Sequence, residues 1–198
     1  MQLIERTHHL CRHIVSNQFI SRVFLRLLTT LFLIIVMGNS VVMAMPDTNE
    51  KLKLNENVAR VISGIISYTH WPTTRAALRL CLVPPSNYIS ALTHINMISD
   101  QTKLHIETLN FNVKQLIEKC DVIYYGQVNP LLLHQVISQK NNKPLLTIAE
   151  NNPHCEIGSA FCLNISNTQV TFSLNLNILT RSGVRVHPNV LQLARKVE

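Results

Sequence analysis

The sequence contains no G-x-G-x-x-G, no P-loop and no G-x-S-x-G. With five glycines in 198 residues, it lacks the loops that cradle nucleotide phosphates and the elbow that presents a nucleophilic serine. It has no C-x-x-C pair, which removes the spacing of zinc ribbons and fingers. It has no internal repeat and no low-complexity tract. It also has no run of lysines or arginines, although its formal net charge is +7. Arg6, Arg12, Arg22 and Arg26 against Glu5 give the first 44 residues +3, and 14 basic against 10 acidic residues give the remainder +4. A nucleic-acid surface needs its cations clustered on one face, so this scattered excess reads as solvated surface and no nucleic-acid partner is expected.

Catalytic groups are equally sparse. The ten carboxylates beyond residue 44 do not cluster; Asp100 and Glu107, and Glu118 and Asp121, each fall where a solvated turn or helix end is expected. Six histidines lie in the same region, His70, His94, His105, His134, His154 and His187, at expected loop ends and exposed faces. No cysteine stands alone beside a base that would activate it. The residues therefore give no catalytic set and no cofactor motif, and the chain reads as a non-enzyme.

What the chain does have begins with Leu27 to Met37 (LLTTLFLIIVM), a largely apolar core of eleven residues preceded by arginines. Small residues follow, and Val42-Met43-Ala44 has the small-x-small character of a cleavage site. These are the three parts of a secretory signal, which predicts residues 1–44 as a signal peptide, 45–53 as a flexible N-terminus and 54–198 as the domain. A retained anchor is the competing reading, because Val41-Val42-Met43 extends the apolar stretch. Gly38-Asn39-Ser40 interrupts it, and the stretch is short for a membrane span. Cys11 precedes the apolar core and so is no lipobox cysteine.

Past the leader, helical and strand-like segments alternate. Asn55 is placed to cap a helix bearing Val58, Val61, Ile62, Ile65 and Ile66 on one face; Gly64 inside it suggests a close neighbour, and Trp71-Pro72 ends it. Leu78 to Val83 and Leu104 to Leu109 read as strands, and Val122 to Tyr125 and the Leu145-Leu146-Thr147-Ile148 run as strands covered on both faces. Short helices are expected at Asn87 to Ile95, Val113 to Lys119 and from Pro130, the last with Leu132, Leu133, Val136 and Ile137 inward. Ala160 to Ile165 and Gln169 to Leu174 flank Ser166-Asn167-Thr168 as a hairpin. Leu176 to Ser182 forms a helical turn or two stopped by Gly183. Val184-Arg185-Val186 is extended, and Pro188 opens a last helix with Val190, Leu191, Leu193 and Ala194 inward. The fold class is α/β: one domain with an open, mostly parallel sheet, helices on its faces and a C-terminal hairpin.

Four cysteines remain after the leader: Cys81, Cys120, Cys155 and Cys162. In an exported protein an even count reads as disulfides. Of the three pairings, Cys155 with Cys162 closes a loop in which Gly158 lets the chain turn back, which leaves Cys81 with Cys120. The loop-entropy model gives about 4 kcal/mol for the long crosslink and about 2.5 kcal/mol for the short one. A zinc site of His154, Cys155, Cys162 and His187 is the alternative, at a spacing that no ribbon or finger uses.

Several segments together resemble the YfiR family of periplasmic proteins. They are Asn57-Val58-Ala59-Arg60 through Trp71-Pro72, the strand with Cys81, Cys120-Asp121-Val122, Pro144 to Ile148, the Cys155–Cys162 loop with Gly158, Phe172 to Leu176, and Ser182-Gly183-Val184-Arg185-Val186 leading into Leu191-Gln192-Leu193-Ala194-Arg195. The resemblance runs from about Asn55 to Lys196. It implies an α/β sheet with two disulfides and a periplasmic location after cleavage near Ala44. It further implies a repressor that binds the periplasmic domain of an inner-membrane diguanylate cyclase (YfiN) and lowers cyclic di-GMP, favouring motility over biofilm. An outer-membrane lipoprotein, YfiB, would sequester it, and a homodimer is a further possibility of the family.

Arg181, Val184, Arg185, Val186 and His187 offer cations flanked by apolar groups, a composition that suits a partner surface. An edge strand with solvated arginines reads the same residues. A second function class is a periplasmic small-ligand receptor. Open α/β sheets bind beyond their strand C-termini, and those ends carry Pro84 to Ser86, Tyr125-Gly126 and Ala149-Glu150.

Overall fold

The computed structural model describes residues 48–73, 76–95, 97–99, 102–150, 152–167 and 169–190, together with Arg26 and Leu28. The chain divides into two compact units, Met1–Met45 and Pro46–Glu198. The expected signal peptide and its cleavage site lie outside the described residues, Arg26 and Leu28 excepted, as do Leu191 to Ala194 of the expected last helix. Among the described residues no helix is long and apolar enough to cross a membrane.

The second unit opens with α1 (Thr48–Ser67) and β1 (Thr69–His70), then β2 (Ala77–Val83), α2 (Ile89–Leu92), β3 (Met97–Ser99) and β4 (Thr102–Thr108). It continues through α3 (Val113–Lys119), β5 (Val122–Tyr125), α4 (Pro130–Gln139) and β6 (Leu146–Ala149). It closes with β7 (Phe161–Ile165), β8 (Val170–Leu174), α5 (Leu176–Ser182) and β9 (Arg185–Val186). Seven strands form one sheet in the order β3-β4-β2-β5-β6-β7-β8. The five from β4 to β7 are parallel, and β3 and β8 run antiparallel at the two edges.

The apolar runs are continuous because both faces of the sheet are covered. Period-two alternation sends Leu80, Leu82, Val122, Tyr124, Leu146 and Ile148 to the face packed by Val58, Ile62, Ile65 and Ile66 of α1. The intervening Cys81, Val83, Ile123 and Tyr125 go to the opposite face, under Leu116 of α3 and Leu133 and Val136 of α4. Asparagines cap the N-termini of α3, α4 and α5. Asn112 accepts from the Gln115 amide, Asn129 from Leu131 and Asn175 from Ile178. Gly183 ends α5 with φ 77°, the left-handed conformation that a C-terminal cap requires.

The structure corrects several expectations. Helix α1 starts at Thr48, not Asn55, so residues 48–53 of the expected flexible segment form its first turns. Glu50 in the first turn favours the helix dipole there, and lysine and leucine propensity carries the helix on. The helix stops at Ser67, before Trp71-Pro72. Thr69 Oγ1 donates to the Ile65 carbonyl and Ser67 Oγ to the Gly64 carbonyl, so hydroxyls take over the last turn. A Cβ on Gly64 would meet open space, so no close neighbour requires glycine there. Helix α2 is a single turn within the expected Asn87 to Ile95. Leu132 is 40% exposed and leaves the α4 stripe to Leu133, Val136 and Ile137. Asp121, expected at a solvated turn, is fully buried. All six histidines are exposed, as expected.

Candidate functional site

Both disulfides form as expected, Cys81–Cys120 and Cys155–Cys162. The first lies inside the core on the α3/α4 side of the sheet. The second closes the loop between β6 and β7. Gly158 in that loop has φ 79°, and a Cβ there would come within 2.3 Å of Leu133 Cβ on α4. Glycine therefore serves two ends, the left-handed turn and close packing of the loop on the helix. Asn175 fastens the loop to α5 through Nδ2, which donates to the carbonyls of Cys155 at 2.7 Å and Glu156 at 3.0 Å. Both thiols of the imagined His154–Cys155–Cys162–His187 set are thus committed to a covalent bond, and among the described residues no three metal-ligating side chains gather.

The predicted partner residues fall beside a feature that the sequence did not announce. Strand β9 pairs antiparallel with β1, Thr69 opposite Val186 and His70 opposite Arg185, as a two-stranded ribbon separate from the main sheet. The His187 amide donates to the Tyr68 carbonyl at 2.9 Å, and the two rings stand 6.0 Å apart, tilted. Tyr68, His70, Arg185 and His187 are exposed there, Tyr68 by 48%. Arg181 is exposed in the last turn of α5, and its charge, after burial, helps to lower the pKa of Lys140. Val186 is half-buried. Val184 is buried and packs in the core, so its side chain is not part of the surface. Tyr68 was missed because only the strand pairing brings it to His187.

A second cluster lies where the ligand crevice was expected. The strand order reverses between β2 and β5: the chain leaves β2 for β4 on one side and leaves β5 for β6 on the other. That is the topological switch point of an open α/β sheet, where side chains beyond the strand C-termini border a cleft. Here Ser86 Oγ donates to Glu150 Oε2 at 2.6 Å and the Tyr124 hydroxyl donates to the same oxygen at 2.5 Å. The Tyr88 amide holds Ser86 Oγ at 3.0 Å. Burial raises the Glu150 carboxyl above the usual carboxylate range, although the two hydroxyls work against it. Burial and the Glu150 charge push the Tyr124 phenol far up. Gly126 completes this end: a Cβ there would stand 2.1 Å from the Pro85 carbonyl oxygen. Glu150 was expected only as a strand-end residue; its 64-residue separation from Ser86 left no local signal.

The folded unit is thus a doubly covered α/β domain, held by two disulfides and carrying an exposed aromatic and cationic ribbon. Disulfides of this kind persist in oxidising compartments. The chain belongs to the YfiR/HmsC-like family, whose model matches residues 55–195. Family membership makes it a regulatory protein of periplasmic cyclic di-GMP signalling.

Proposed function

We propose that this chain is a periplasmic negative regulator that binds the periplasmic domain of an inner-membrane diguanylate cyclase of the YfiN kind and inhibits cyclic di-GMP production. Lower cyclic di-GMP then favours motility over biofilm. The observation that carries this reading is the family match over residues 55–195, essentially the whole folded unit. In this reading residues 1–44 are a signal peptide cleaved near Ala44. A YfiB-like outer-membrane lipoprotein sequesters the repressor, which can also pair as a homodimer.

Inhibition by binding is a population shift. A repressor moves a cyclase between active and inactive states only by its difference in affinity for the two; displacing a 1:99 ratio to 99:1 takes about 10⁴-fold. A rigid surface serves this well, because little ordering accompanies docking. The ribbon supports the reading: Arg185 on β9 and His187 just after it, with Arg181 nearby in sequence and Tyr68 alongside, combine cations with an exposed aromatic ring. Val184 acts from below, anchoring the strand in the core.

The test is charge reversal at Arg181 and Arg185 together, with intracellular cyclic di-GMP and co-purification of the cyclase as readouts. Loss of capture with a rise in cyclic di-GMP, at normal protein level, is expected. Full repression by the reversed variant would exclude this surface. Failure of the wild type to capture any diguanylate cyclase from membranes would remove the function itself.

A further inference from the structure

Beside Glu150 the surface opens into a groove of about 390 Å³, within the range of small-molecule sites. Leu163 supplies apolar wall, and Asn152, Asn164, Gln169 and Thr171 line it with Glu150. Among the described residues no lysine, arginine or histidine lines it, although the chain is basic overall. At Glu150 and Asn152 the polar atoms left open are acceptors. Oε2 of Glu150 is already taken by Ser86 and Tyr124, which fixes the carboxyl and leaves Oε1 with no protein donor among the described residues. Asn152 uses both amide hydrogens, one on the Ile157 carbonyl at 2.7 Å and one on Ser159 Oγ at 2.9 Å, which keeps Oδ1 as its free acceptor. Asn164 Nδ2 is engaged by Ser173 Oγ at 3.0 Å.

We propose that this groove is a binding site for a small organic amine, with the Glu150 carboxylate as its counter-ion. An ammonium group brings the positive charge that the described lining lacks and several donors for the open acceptors beside Glu150. A charge-assisted bond to a partly desolvated carboxylate is stronger than one to a neutral acceptor. The carbon chain of the amine lies along Leu163. A carboxylate ligand would meet Glu150 with like charge and no compensating cation. The position fits a sensing role, because Glu150 ties together the C-terminal ends of β2, β5 and β6 through Ser86 and Tyr124. This site is separate from the ribbon of the proposed cyclase surface, and its occupancy is measured without any cyclase.

The experiment is isothermal titration of the full, disulfide-bonded protein near pH 7.5 with putrescine, ethanolamine and phenethylamine, and with glutarate and glucose as anionic and neutral polyol comparisons. Saturable binding of at least one amine is expected, and none of glutarate or glucose. Glu150→Gln keeps acceptor oxygen for Ser86 and Tyr124 and so preserves the fold, yet it should weaken amine binding about tenfold or more. Thr171→Leu fills the groove without touching Glu150 and should weaken it as well. No saturable amine binding, equal binding by Glu150→Gln, or preference for glucose or glutarate would each overturn the proposal.

Discussion

Arg79 and Asp121, 42 positions apart, hold each other by three hydrogen bonds. The Arg79 amide and Nε donate to Asp121 Oδ2 at 3.0 and 3.3 Å, and the Asp121 amide donates back to the Arg79 carbonyl at 2.9 Å. Cys81 and Cys120, close by in sequence, cross-link the same two segments. Arg79 and Lys143 also finish α3: Arg79 Nη2 reaches the Glu118 carbonyl at 3.4 Å and Lys143 Nζ donates to the Ile117 carbonyl.

Asp121 is fully buried, so Asp121→Ala leaves the Arg79 amide without its side-chain acceptor. The expected loss is about 1–3 kcal/mol, towards the upper end because a charged acceptor is removed. Asp121→Asn, which keeps an oxygen in place, should lose less. Denaturant unfolding with both disulfides intact measures this. A change within about 0.5 kcal/mol for the alanine variant, the range of an ordinary surface substitution, would mean the clasp does not stabilise the fold.

Two glycine substitutions should act in opposite directions. Gly126→Ala drives a Cβ to 2.1 Å from the Pro85 carbonyl oxygen, a backbone atom that cannot swing aside. A loss of about 1–3 kcal/mol is expected, the usual range for overpacking. Gly64→Ala meets open space in the last turn of α1 and should gain up to about 1 kcal/mol from helix propensity. Thermal melts of both variants decide it; a destabilised Gly64→Ala would reveal an unseen demand on that helix.

The two crosslinks should differ in value. Cys81–Cys120 spans a sequence separation of 39 and Cys155–Cys162 one of 7. Replacing the first pair by serine is expected to cost about 4 kcal/mol and the second about 2.5 kcal/mol by loop-closure entropy. If paired unfolding measurements reverse that order, local packing around the Gly158 loop outweighs chain entropy. In cells, the Cys155→Ser/Cys162→Ser double variant is expected to release the cyclase; normal accumulation with full repression would show that the short crosslink is dispensable for function.

The sequence disclosed elements whose signals are local. The run VIYY (Val122–Tyr125) and the segment Val113–Lys119 take their expected bounds because an apolar run between turn signals and an asparagine cap need no distant partner. Leu176–Ser182 with Gly183 is legible for the same reason. Pairings between remote segments were not. Thr69–His70 is a strand only because Arg185–Val186 lies beside it, and no pattern marks Met97–Ser99. Asp121 looks like a turn residue until Arg79 closes over it. Glu150 becomes a constrained carboxyl only when Ser86, from the loop after β2, and Tyr124, from β5, reach it. The disulfides were within reach because cysteine count and compartment constrain them, whereas no comparable constraint marks a hydrogen-bonded carboxylate.

Glu150 should also set a pH dependence of stability. Burial is the largest influence on it and raises its pKa above the ordinary 4.5; the hydrogen bonds from Ser86 and Tyr124 only partly offset this. Below the ordinary value the group is protonated in both folded and unfolded chains. Between that value and the raised one the folded chain keeps a proton that the unfolded chain has released, so its contribution to stability falls as pH rises and is lost once the folded value is passed. Glu150→Gln cannot titrate. Wild type minus variant, followed by denaturant unfolding from about pH 4 to neutral, should therefore decline and then level off; a difference that grows with pH would mean that the two hydroxyls stabilise the carboxylate more than burial penalises it. Amine binding runs the other way, because only the ionised carboxylate attracts an ammonium group. Affinity should climb across the same interval in which the intrinsic contribution of Glu150 declines, and an affinity that stayed flat there would detach the groove from this side chain.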